Sequence, residues 1–106
     1  MVSIKEIRSL ARNIARRFHP ERVVLFGSYA EGTATADSDV DLLVVLSGER
    51  KVVDKAVEIR LALNPEIPLD ILVRTPETIR KRIGMGDSFL ADIMTRGKVL
   101  YEADHD

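Results

Sequence analysis

The sequence predicts an α/β or α+β domain in which a mixed β-sheet is covered by helices. Apolar residues recur at helical spacing over the first 18 positions and again across residues 50–63. Three short runs, "RVVLF", "VDLLVVL" and "LDILV", are rich in β-branched residues and largely apolar on both faces, as strands buried between two layers are. Capping and turn residues punctuate these segments.

Taken in order, Ser3 with Glu6 three positions later has the form of a capping box, and Ile4, Ile7, Ala11, Ile14 and Phe18 follow on one helical face. A helix is expected over residues 3–17. His19-Pro20 ends it, because proline disfavours helical geometry in the residue before it. Strands follow at Arg22–Phe26 and at residues 40–46, the second closed by Ser47-Gly48. Across residues 50–63, Val52, Ala56, Ile59 and Leu63 form a stripe that Val53, Val57 and Leu61 widen, which predicts a helix lying across the sheet. "NPEIP" interrupts before a third strand at residues 69–73.

Thr75-Pro76-Glu77 supplies an N-cap, a proline at the first helical position and an early acid, so a short helix is expected to about Arg82. Asp87 caps another carrying Phe89, Leu90, Ile93 and Met94, with Gly97 at its end and "KVLY" as an edge strand. Strand order does not follow from local pattern.

With 106 residues, 45% of them hydrophobic, the chain builds one core, and a single domain over residues 1–106 is expected. Cysteine is absent, which excludes disulfides, thiolate metal sites and a cysteine nucleophile, and suits a reducing cytosol. The first residues mix charges into their apolar pattern, unlike a signal peptide, and no run approaches the ~20 apolar residues of a membrane span. A soluble, cytoplasmic protein is expected. The net charge of -1 hides basic clusters at Arg16-Arg17 and Arg80-Lys81-Arg82, which read as solvated helix faces. That charge, with 5% aromatic content and therefore few stacking platforms, counts against a nucleic-acid partner.

The chemistry concentrates in "GSYAEGTATADSDVDLLVVL", residues 27–46. Strand alternation puts Asp39, Asp41, Leu43 and Val45 on one face and Val40, Leu42, Val44 and Leu46 on the other. Asp70 stands in the same way at the start of the third strand. Two like charges ~7 Å apart repel by about 2.4 kcal/mol at an effective dielectric of ~20, so the aspartates need either a wet sheet edge or a cation. The donors are all oxygens, and neither His19 nor His105 has a ligand spacing, so Mg2+ fits better than zinc. Asp-x-Asp alone is common and by itself reads first as a turn followed by a solvated strand start. Gly27-Ser28 shifts that balance, since glycine lets a phosphate approach backbone N–H groups and serine adds a hydroxyl donor.

Gly27-Ser28, ten intervening residues and Asp39-x-Asp41 resemble the signature of the nucleotidyltransferase superfamily typified by DNA polymerase beta. The fuller string is similar to stand-alone minimal nucleotidyltransferase (MNT) domains, and Asp70 in "PLDILV" falls at that family's third carboxylate. The similarity is strongest over residues 23–73, and no member of the motif is missing. The resemblance implies a polymerase beta-like fold and transfer of a nucleoside monophosphate, AMP from ATP, to an acceptor hydroxyl. It assigns two Mg2+ ions to Asp39, Asp41 and Asp70, and the β- and γ-phosphates to Gly27 and Ser28. Small MNT proteins of this kind pair with HEPN ribonuclease toxins as antitoxins, some by transferring AMP to a toxin tyrosine. A HEPN-type toxin is therefore the expected partner, and a non-catalytic antitoxin that acts by complex formation is the alternative. Arg22, Lys51, Lys55 and Arg74 could contact phosphate or a partner, but read more readily as solvated surface cations. Tyr29 fits either a base-stacking role or a cover over the helix start.

Overall fold

The computed structural model describes residues 1–48 and 52–104. Its elements run α1 (Ile4–Phe18), β1 (Arg22–Phe26), α2 (Ser28–Glu31), β2 (Val40–Val45), α3 (Val52–Leu63), β3 (Leu69–Arg74), α4 (Pro76–Gly84), α5 (Ser88–Arg96) and β4 (Lys98–Glu102). The strands form a mixed sheet in the order β3-β2-β1-β4. β1 is antiparallel to both β2 and β4, while β2 and β3 are parallel. A parallel pair needs a crossover, and α3 provides it. The expected α/β or α+β fold is the one observed.

Local chemistry explains the boundaries. The Ser3 hydroxyl accepts from the Glu6 N–H while the Glu6 carboxylate accepts from the Ser3 N–H, completing the capping box. His19 ends α1 in the left-handed region (φ 51°). Thr75 caps α4 by accepting from the Thr78 N–H at 3.1 Å, and Asp87 caps α5 by accepting from the Leu90 N–H at 3.0 Å. The start expected for α3 at Arg50 lies outside the described residues; the described helix begins at Val52.

Both faces of the sheet are covered. Val23, Leu25, Val40, Leu42 and Val44 pack under α1 and α3, against Ile7, Ile14 and Ile59. Val24, Leu43 and Val45 pack under α4 and α5, against Ile79, Leu90 and Ile93. The alternation predicted along β2 therefore holds, with each face meeting its own helical layer.

α3 corrects one expectation. Val53, Val57 and Leu61 do not widen its buried stripe: they are 72%, 53% and 75% exposed, and the contact with the core is made by Ile59 flanked by Val52, Ala56 and Leu63. Residues four apart lie on one helical face, so the sequence contains two neighbouring apolar stripes, and packing selects one.

Candidate active site

The parallel pairing of β2 with β3 sets Asp41 beside Asp70 as register partners, and both point to the α4–α5 face because Leu43 and Leu72 do so two residues on. A hydrogen bond from the Val40 N–H to the Pro68 carbonyl, 2.9 Å, fixes the start of one strand against the other. The Asp41 and Asp70 carboxyls are close enough for the charge of one to act on the other. Burial, followed by the charges of Asp70 and Asp39, pushes the Asp41 pKa from 3.8 up to about 6. Two carboxyls in one place cannot both be ionised cheaply, and here one of them retains a proton toward neutrality.

Asp39 lies just before β2, exposed, near enough for its charge to act on Asp41. The loop ahead of it is tied to itself. The Thr35 N–H donates to the Ser38 hydroxyl at 2.8 Å and the Ser38 N–H to the Thr35 carbonyl at 3.1 Å. Among the described residues, no three His, Asp or Glu side chains converge tightly enough to hold a metal as they stand. The structure thus brings Asp41 and Asp70 together, with Asp39 alongside. For a divalent hard cation the donor chemistry fits: oxygens only, in a pair that repels itself when no positive charge is near.

The other half of the site is the turn after β1. Gly27 caps α2 at φ 73°, ψ -154°, a region open essentially to glycine alone. A Cβ there would collide with Asp41 Oδ2, so the glycine also makes room for the carboxylate. Gly27 and Asp41 are therefore neighbours, and Ser28 opens a helix whose first N–H groups have no intrahelical acceptor. All five residues singled out for chemistry, Gly27, Ser28, Asp39, Asp41 and Asp70, stand at one end of the sheet, where β1 ends and β2 and β3 begin.

The remaining candidates have other work. Tyr29 packs against the core beneath α1 and its hydroxyl accepts from the Val2 N–H at 3.1 Å, which makes it a cover for the helix start. Arg22 ion-pairs with Glu102 across β1 and β4. Lys55 pairs with Glu58 at 2.9 Å and lies 5.9 Å from the Phe18 ring centre. Arg74 donates to the neighbouring Val73 carbonyl. Lys51 and His105 lie outside the described residues. Two residues beside the site escaped sequence reasoning. Phe26 is the register partner of Asp41, and Phe89 of α5 meets it edge-on with ring centres 5.8 Å apart. The only local signal was the position of Phe26 directly before Gly27.

Comparison with known proteins bears on the family and the fold. Residues 7–100 match the model of the nucleotidyltransferase domain family. Two proteins of Methanocaldococcus jannaschii, each named "putative protein adenylyltransferase", are similar in sequence. One is 33% identical over 82 residues, 76% of this chain and 78% of the relative. The other is 34% identical over 77 residues, 73% and 75% of the two chains. Among solved structures, a nucleotidyltransferase-like protein of Sulfolobus solfataricus superposes with a TM-score of 0.65 at 20% identity, covering 93% of this chain and 79% of that one. A toxin–antitoxin structure with AMP-PNP gives 0.56 at 22% identity, covering 92% and 74%. These structural likenesses show a shared fold, and the family model together with the sequence relatives identifies the chain as a member of the nucleotidyltransferase family.

Proposed function

We propose that this protein is a Mg2+-dependent adenylyltransferase that moves AMP from ATP to a tyrosine hydroxyl of a HEPN-type ribonuclease toxin in the cytoplasm, and so acts as its antitoxin. The observation that carries the reading is the Asp41–Asp70 pair facing the Gly27-Ser28 turn in a chain of this family. In the reaction the acceptor oxygen bonds to the α-phosphorus, the bond to the bridging oxygen breaks, pyrophosphate leaves and the hydroxyl proton is lost. The backbone N–H groups and hydroxyl of Gly27-Ser28 hold the β- and γ-phosphates. Asp39 and Asp41 would hold two Mg2+ ions, and Asp70 would complete the acceptor-side set and accept the hydroxyl proton. When bound, the ions supply charge neutralisation at the attacking and leaving oxygens. The protein relatives named as adenylyltransferases support a protein acceptor, and the toxin–antitoxin neighbours support a toxin partner.

The test is incubation with α-labelled ATP, Mg2+ and the cognate toxin, followed by mass analysis of both proteins. Asp39→Asn and Asp41→Asn are expected to abolish transfer while leaving the circular dichroism spectrum unchanged. Transfer undiminished in both variants rejects the reading.

A binding-only antitoxin is the second reading, favoured by the carboxylates forming a pair and not a closed triad. Its signature is full neutralisation of the toxin by the Asp39→Asn/Asp41→Asn double variant.

A further inference from the structure

Between α4 and α5 lies an open groove of about 790 Å3, lined by Thr78, Lys81, Arg82, Met85, Asp87 and Phe89 among others. Its size is that of a small-molecule site, roughly 300–1,000 Å3. Arg82 is held by Asp87 at 3.0 Å, which ties the end of α4 to the start of α5. Met85 and Phe89 are 76% and 55% exposed, a polarisable and an aromatic surface facing solvent. Phe89 also connects the groove to the carboxylates. It meets Phe26 at an interplanar angle of 82°, and Phe26 is the cross-strand partner of Asp41 and the residue before Gly27. Phe26, Asp41 and Asp70 thus form a row across one sheet face, and the aromatic wall begins one cross-strand step from the acidic pair.

We infer that the α4–α5 groove is the nucleobase subsite and that Phe89 is its stacking platform. The inference rests on the triphosphate reading of Gly27-Ser28 given above. A nucleotide held there by its phosphates has its sugar and base to place nearby, and Phe89, exposed and in contact with the half-buried Phe26 that precedes Gly27, offers a π surface on that side. Stacking is tolerant of base identity, so Phe89 contributes affinity for a base more than a choice among bases.

The test is isothermal titration of the whole protein, with Mg2+ present, against ATP and against inorganic tripolyphosphate. Phe89→Ala is expected to weaken ATP about 10-fold, in the range of base–aromatic stacking, and to leave tripolyphosphate unchanged. Phe89→Leu keeps an apolar contact on Phe26 without a π face and should show the same loss, whereas Phe89→Tyr restores binding. Unchanged ATP affinity in Phe89→Leu overturns the inference, as does equal weakening of both ligands. If the wild type binds tripolyphosphate as tightly as ATP, the base subsite is rejected and the phosphate grip survives. If it binds neither, the phosphate grip is rejected and the subsite with it.

Discussion

Asp41 and Asp70 sit side by side across the parallel strands β2 and β3, and burial together with the charge of Asp70 raises the Asp41 pKa to about 6. The folded protein therefore holds a proton that the unfolded chain releases near pH 3.8, and keeps it to about pH 6. An acid with a raised folded pKa adds stability fully present below the unfolded value and lost as pH climbs through the folded one. Asp41→Asn is expected to melt higher than wild type at pH 7.5, with the gap closing by pH 4. Discounted for solvent screening, the difference is about 1 kcal/mol. Thermal melts of both proteins across that pH range check it.

Mg2+ should relieve the same repulsion. Adding it at pH 7.5 is expected to raise the wild-type melting temperature and to leave Asp41→Asn unmoved, and EDTA should reverse the gain. A wild type indifferent to Mg2+ but responsive to ATP alone would argue for a metal-free site.

Gly27→Ala is expected to cost about 1–3 kcal/mol, because alanine cannot adopt φ 73°, ψ -154° without strain. Its methyl also displaces the Asp41 carboxylate. Urea unfolding measures the first effect, and loss of AMP transfer the second.

Gly97→Ala offers a contrast. Gly97 has an ordinary φ of -68°, but a Cβ there would meet Val24 Cγ1 at 2.6 Å and the Leu25 carbonyl at 3.0 Å. Overpacking of this kind costs typically about 1–3 kcal/mol. Stability should fall in urea while the ratio of ATP to tripolyphosphate affinity stays at the wild-type value.

The two stripes of α3 predict opposite sensitivities. Leu61→Glu should change stability by less than about 0.5 kcal/mol, as exposed positions do. Ile59→Ala should cost about 2–5 kcal/mol, as fully buried aliphatics do. Denaturant midpoints of the two variants decide which stripe meets the core.

Much of this was legible in the sequence, for a physical reason in each case. Ser3, Thr75 and Asp87 act within three residues of themselves, so helix starts could be read from adjacent letters. The β-branched runs had no alternative to burial. Gly27, Ser28, Asp39, Asp41 and Asp70 could be singled out because the proposed chemistry demands those residue types together, and the fold brings them to one end of the sheet. The orientation of α3 was not legible, since Val53, Val57 and Leu61 have the same spacing as the residues that pack. Neither was the order β3-β2-β1-β4, which depends on pairings between distant segments. Phe89 escaped notice because only the folded chain sets it against Phe26.

The position of β3 at the margin of the sheet carries a dynamic consequence. Antiparallel β1 and β2 can zip together without Asp70, so the opposition of Asp41 by Asp70 arises only when the marginal strand docks. Hydrogen exchange at neutral pH should accordingly be faster in Leu69–Arg74 than in the β1–β2 hairpin, and should slow there once cations arrive. The seam that carries the acidic pair is then also the first to breathe.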